Sequence, residues 1–306
     1  SRARTFVIAA AVAVGIVCGL FTESASAFKR TQTCDSFGTY ACDPGESPLP
    51  IAWPIRCLKY RINQQGSEQF PSSADGTIGP QLHDIVRRAF DSWNRPSCSD
   101  LTIVEGALTS NTQAHYDQEA GWSGNMNLVV WRDDEWPYAT KRSFALTSVT
   151  YSAKTGRIAD ADIEINSAIF EYADFDESRV GDSGHVDLEN TLTHEVGHFV
   201  GLDHPANPAA TMYGTAPAGE IKKRTLHEDD INGLCEIYPA KSPPTQCQST
   251  SQFIPADERR RTEPQSGCGA TGDSSRPAPL ALSLLALVGL GARRRRRRRD
   301  DVDTDP

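Results

Sequence analysis

The sequence predicts an α+β domain: a twisted, mixed β-sheet carrying one central helix with a polar face and one C-terminal helix. Three observations predict it. Short segments of strand character recur between residues 57 and 166. A single segment of helical period interrupts them after the first. Two further helical segments follow them, so strands and late helices are segregated along the chain.

The elements follow in order. Arg2 and Arg4 precede the apolar run 6–20, and Ala25-Ser26-Ala27 offers a cleavage site, so residues 1–27 read as a secretory signal that takes Cys18 with it. Residues 28–52 are short, polar and Pro/Gly-bearing, an N-terminal arm or short propeptide. The main domain is expected over 53–240. Within it, Cys57-Leu58-Lys59-Tyr60-Arg61-Ile62 alternates as a strand. Leu82, Ile85, Val86, Ala89, Phe90 and Trp93 then recur at helical spacing behind Pro80. Residues 101–105, 126–131 and 144–151 read as further strands. Asp160, Asp162, Glu164 and Asn166 alternate with Ile163 and Ile165, as on a strand with one polar face. The favoured reading of that face is a solvated one.

The central helix carries the chemistry. Residues 194–204 run H-E-V-G-H-F-V-G-L-D-H. His194 and His198, four apart, stack on one helical face and can reach one metal ion. Glu195 lies about 100° around the wheel from His194, beside the metal but free of it. Leu192, Val196, Phe199 and Val200 form the opposite, packing side. Gly201 permits the left-handed turn that ends the helix and returns the chain, so that His204 becomes the third ligand. Three neutral imidazoles plus one water make an open, catalytic zinc site rather than a closed structural one. Zinc lowers the pKa of bound water from about 15.7 to about 7. Glu195 is placed to take that proton and return it to a leaving amine. The bland alternative, ordinary polar residues on a surface helix, loses its weight once Gly201 and His204 complete the string.

On these residues the chain resembles the metzincin zinc metalloproteases, which add a Met-turn below the metal. Thr211-Met212-Tyr213-Gly214 supplies one eight residues after His204, and only two methionines occur in the chain. Gly201-Leu202-Asp203-His204, Met212-Tyr213 and the segment 226–234 are similar to the matrixin group. Pro205 is more like the serralysins, while Gly214 stands where serralysins and astacins carry a zinc-side tyrosine. The resemblance spans about 53–240 and implies a metzincin-type catalytic domain, one catalytic Zn(2+) and hydrolysis of protein or peptide substrates. It makes 144–151 the edge strand above the cleft, with Ala145, Leu146 and Thr147 pairing with substrate backbone. It also makes Ala216–Lys223 the lining of the pocket for the residue after the scissile bond. Thr225-x-x-Glu228 reads as a capping box for the last helix. Strands in the place of 160–166 carry Ca(2+) ligands in the family, so calcium is the less favoured reading there. His115-x-Asp117 is a fragment of a second zinc motif without its later histidines. No structural zinc is expected, and His115 and His185 read as surface residues.

The formal net charge is −9. The body is more acidic still, because residues 293–299 are all arginine, which argues against nucleic acid as a partner. Seven cysteines remain after residue 27. In an exported protein they should pair: Cys34 with Cys42, Cys57 with Cys98 and Cys235 with Cys247, leaving Cys268. Some matrixins block their zinc with a propeptide cysteine, but the sequence around Cys42 is not that switch. Residues 241–277, rich in Ser, Pro, Gln, Thr and charge, read as a flexible linker. Residues 280–292 are apolar but short of the roughly 20 needed to span a membrane. With Ser266-Gly267-Cys268-Gly269 and the arginine block, 278–306 resembles a bacterial sorting tail of the myxobacterial type. That resemblance implies that the tail is cut, that Cys268 carries a lipid anchor and that the cell envelope is a partner. A monomer, secreted or held at the cell surface, is expected. The competing function is a binding module on an inactive protease scaffold, against which the intact Glu195 argues. A different metzincin branch has only Pro205 in its favour.

Overall fold

The computed structural model describes residues 28–34, 41–117, 125–241 and 259–270. Strands β1 (Lys29–Arg30) and β2 (Cys57–Ile62) precede helix α1 (Pro80–Asn94). β3 (Thr102–Glu105), β4 (Asn127–Trp131), β5 (Ala145–Ser152) and β6 (Ile158–Ile165) follow. Short strands β7 (Tyr172–Ala173) and β8 (Val186–Asp187) lead into α2 (Leu188–Phe199) and β9 (Leu202–Asp203). After β10 (Thr215–Ala216) comes α3 (Glu228–Ile237), then β11 (Arg260–Ser266) and β12 (Gly269–Ala270). The expected α+β architecture with a mixed sheet is present. Its six strands run β11-β5-β6-β4-β2-β3, with β5 antiparallel to both neighbours and the remaining pairs parallel.

α1 starts with proline in its first turn and buries Leu82, Ile85, Val86, Ala89, Phe90 and Trp93, the stripe its periodicity predicts. Phe90 stacks on Tyr60 of β2 with ring centroids 3.7 Å apart and meets Phe199 of α2 edge-on at 5.7 Å. The two helices thus share one aromatic seam over the sheet. α2 is buried along its whole length, which suits a helix that must hold its side chains in one geometry. The N-terminal arm is stitched to the exit of α2. β1 pairs with β9, Thr31 N–H donates to Gly201 O at 3.0 Å, and Lys29 forms a 2.6 Å ion pair with Asp203.

Four expectations need correction. The polar face of β6 is not solvated: Asp160, Asp162, Glu164 and Asn166 are all buried. Asp162 accepts the Leu128 amide at 2.8 Å, and Glu164 accepts Arg132 Nε at 2.6 Å together with the Tyr138 hydroxyl. Asn166 donates to Ser143 O at 2.9 Å. A strand's own pattern cannot reveal the loops that cover it. Second, Cys34–Cys42 is bridged as expected, but Cys98 bonds Cys235 rather than Cys57. The chain leaving α3 lies along the chain leaving α1, with Ala240 N–H donating to Cys98 O at 2.9 Å and Asp100 N–H to Tyr238 O at 3.2 Å. That brings the two Cα atoms within 5.5 Å. Cys57 is itself disulfide-bonded, and Cys247 lies outside the described residues.

Third, α3 is capped two residues later than Thr225-x-x-Glu228 suggests. His227 is the N-cap, its ring accepting from the Asp229 amide at 3.1 Å, and Asp230 returns the bond from the His227 N–H at 3.0 Å. Fourth, part of the stretch read as a linker is structured. β11 pairs antiparallel with β5 over its full length, so β5 is an interior strand here and β11 the edge. Pro264 is tolerated because it lies on that edge. The signal segment 1–27 and the tail 278–306 lie outside the described residues, among which no helix is long and apolar enough to cross a membrane.

Candidate metal centre

Main-chain atoms orient the imidazoles. Asp187 caps α2, accepting the Asn190 amide at 2.8 Å. At the other end Trp53 Nε1 donates to Phe199 O at 2.7 Å and the Tyr238 hydroxyl to Val200 O at 2.9 Å, satisfying carbonyls the helix leaves open. Gly201 has φ +97°, the left-handed conformation expected of it, and its amide returns to His198 O at 2.9 Å. The turn delivers β9 and then His204.

His194 Nδ1 lies 2.7 Å from Thr211 O, and His198 Nδ1 lies 2.9 Å from Leu202 O. A carbonyl only accepts, so both Nδ1 atoms carry the proton and both Nε2 lone pairs face inward. His204 Nε2 lies 3.0 Å from each of them. With His204 Nε2 turned to the same point, the three nitrogens can all face one cation between them. Tetrahedral zinc, with bonds of about 2.0–2.1 Å, would set such nitrogens about 3.3 Å apart. The donor set therefore fits zinc. Burial holds both helix imidazoles neutral, pushing His194 well below its ordinary value and His198 down to about 4. Among the described residues this triad is the one group of three or more His, Cys, Asp or Glu close enough to share a metal. The β6 carboxylates do not form another. His115 is exposed, and His185 is half-exposed and paired with Asp182 at 2.9 Å.

Glu195 is fully buried. Burial raises its carboxyl to about 8, opposed first by the hydroxyl of Thr147, which donates to Oε2 at 2.6 Å, and then by the Cys268 backbone amide. Oε1 has no hydrogen-bond partner. Thr147, expected only to pair with substrate backbone, thus also fixes Glu195. Ala145 and Leu146 lie on the same strand, and Leu146 and Thr147 are register partners of Ser266 and Gln265.

Met212 is buried against α2, its sulfur so close to Gly197 that a Cβ added there would meet Sδ at 2.0 Å. Sequence reasoning missed what holds this turn. Asp230 accepts the amides of Thr211 at 2.7 Å and Met212 at 3.0 Å as well as that of His227. One carboxylate therefore ties the α3 cap, the Met-turn and, through Thr211 O, the orientation of His194. The pattern His227-x-x-Asp230 was the available signal. Lys223 is likewise buried, donating from Nζ to Tyr213 O at the end of the segment expected to line the specificity pocket. Cys268 is free and buried beside it.

Residues 102–239 match the family model described as matrixin. Human neutrophil collagenase is 30% identical over 149 residues, 39% of this chain and 32% of that protein. Metalloendoproteinase 2-MMP of Arabidopsis thaliana is 35% identical over 161 residues, 52% of this chain and 38% of that protein. Metalloendoproteinase 4-MMP of the same plant is 36% identical over 89 residues, 29% and 24% of the two chains. The chain thus spans about a quarter to a third of the length of these curated relatives. The matched stretch contains the triad, Glu195, Met212 and Asp230, and over residues 102–239 the chain is similar to the matrixin (peptidase M10) domain.

Proposed function

We propose that the protein is an exported zinc-dependent endopeptidase that hydrolyses peptide bonds in protein substrates without a covalent intermediate. The observation that carries this reading is the convergence of three Nε2 atoms beside a buried carboxylate with one unpaired oxygen. His194, His198 and His204 would hold the ion. Zinc bound there supplies Lewis-acid polarisation of a water and of the scissile carbonyl. Glu195 takes the water proton and passes it to the leaving amine. Thr147 holds Oε2, which leaves Oε1 turned to the cleft. The paired cysteines and the signal-like residues 1–27 support export. The composition of 278–306 supports attachment to the cell envelope.

The test is metal content and peptide cleavage by the full chain, wild type beside Glu195→Gln. The expected result is one zinc in both, with turnover reduced by about 10²–10⁴-fold or more in the variant. A variant that still cleaves at the wild-type rate removes Glu195 from the mechanism.

A further inference from the structure

The groove over α2 is filled by the chain's own residues 260–270. β11 enters antiparallel to β5, from Arg260 opposite Ser152 to Ser266 opposite Leu146. The pairing continues past the strand, with Phe144 N–H donating to Cys268 O at 3.1 Å and Ala270 N–H to Arg142 O at 3.1 Å. On its other side β12 runs parallel to β10, and Gly269 N–H donates to Gly214 O at 3.3 Å. The segment is therefore held on both edges, as an extended peptide would be.

One peptide bond of this segment lies at the reaction centre. A Cβ added to Gly267 would meet Glu195 Oε1 at 1.6 Å and Ala145 O at 2.6 Å, so the Gly267 backbone rests directly on the unpaired carboxylate oxygen. The next amide, that of Cys268, faces the same carboxylate. The Cys268 side chain then turns away into the buried space beside Lys223, which interacts with its sulfur. It does not join the three imidazoles as a fourth close ligand. A segment that capped the metal through sulfur would be arranged differently. Here the carboxylate that moves protons faces the nitrogen of a peptide bond, and the following side chain fills a pocket.

Upstream, the N-terminal arm grips the strand. Arg259 pairs with Asp43 and, at 2.9 Å, with Glu46; Arg261 pairs with Glu46 at 3.3 Å and donates to Thr33 O. These contacts hold the register that places Gly267 over Glu195.

We propose that residues 260–270 are a substrate bound in cis, and that the zinc-loaded protein hydrolyses its own Gly267–Cys268 bond. This rests on the endopeptidase reading above. One water is consumed. Its oxygen adds to the Gly267 carbonyl carbon as Glu195 takes a proton, the C–N bond breaks, and that proton goes to the Cys268 nitrogen. The products end in Gly267 carboxylate and begin with a Cys268 amine.

The experiment uses the full chain, wild type, Glu195→Gln and Gly267→Val. In the metal-free proteins the Cys268 thiol is titrated with an alkylating reagent. Seated in the groove, it should react roughly 100-fold or more slowly than a free peptide thiol. Valine at 267, which cannot fit against Glu195, should restore the free rate. Zinc is then added, and intact mass and N-terminal sequencing follow the products while an unrelated peptide mixture reports general turnover. The expected result is a new N-terminus at Cys268 in wild type, absent in Glu195→Gln. Its first-order rate should stay constant over a roughly 100-fold range of protein concentration.

A wild-type protein that cleaves the mixture but leaves the 267–268 bond intact overturns self-hydrolysis and leaves the endopeptidase reading standing. A thiol reacting at the free rate in metal-free wild type shows the segment unseated, and a rate rising with concentration refutes cleavage in cis. Failure to cleave anything overturns both readings.

Discussion

The metal side of the cleft and the strand that fills it are built on different physics. Every ligand-bearing residue of α2 is fully buried, and its two imidazoles are oriented by main-chain carbonyls inside the hydrophobic core. The strand 260–266 is polar, lies at the sheet edge, and is held by backbone pairing and by charges at or near the surface. The first arrangement is over-determined and can wait for a cation without collapsing. The second is the kind of element that opens locally at modest cost. A rigid reaction centre with a removable occupant follows from that contrast.

The contrast can be broken most severely at Asp230. Asp230→Ala leaves three amides without their acceptor and releases the Met-turn. Unfolding free energy should fall by about 2–5 kcal/mol, and zinc affinity by roughly 10–100-fold as Thr211 O loses its place on His194. Denaturant unfolding and metal competition would measure both; unchanged zinc affinity would show that His194 is oriented by α2 alone.

An intermediate effect comes from β6, which lies next to β5. Asp160 is pushed up to about 7 by burial, and Asp162 is raised well above its ordinary value by burial and by Asp160 beside it. An acid with a raised folded pKa binds its proton more tightly when folded. Stability should therefore fall as pH rises from about 4 through about 7. Asp160→Asn, which mimics the protonated partner, should flatten that fall in a Tm-against-pH series. A wild-type Tm that does not fall over this window would mean the pair is relieved by some other group.

The smallest effect is expected on the strand's own clamp. Arg259 and, on the arm, Asp43 are exposed and Glu46 is partly so, and salt should screen them. Raising ionic strength from about 0.05 to 0.5 M should speed Cys268 alkylation a few-fold in the metal-free chain. An opening rate insensitive to salt would assign the grip to backbone pairing alone.

What was legible in the sequence follows the same division. His194, His198, His204 and Glu195 were readable because helical geometry and one glycine turn convert spacing into position, whereas Met212 was singled out only through the resemblance to the metzincin turn. α1 was readable because its apolar residues keep one period. β11 was not, since Arg260-Arg261-Thr262-Glu263-Pro264-Gln265 has no apolar alternation. It is a strand only because β5 offers unpaired backbone groups. The Cys98–Cys235 bond was equally hidden, because it depends on where α1 and α3 end in space. The buried carboxylates of β6 look solvated until the loops around Thr112 and Tyr138 are placed over them.

Cys268, fully buried in the groove, has a topological consequence. Any enzyme that attaches a lipid to this thiol must first receive it in its own active site, which requires residues 260–270 to leave the cleft. A catalytic domain tethered to a membrane through Cys268 would therefore be one whose groove is vacant and whose Gly267–Cys268 bond is uncut, because hydrolysis there separates the domain from that residue. Attachment and self-hydrolysis are then alternative fates of one segment, told apart by whether that sulfur stays with the catalytic domain.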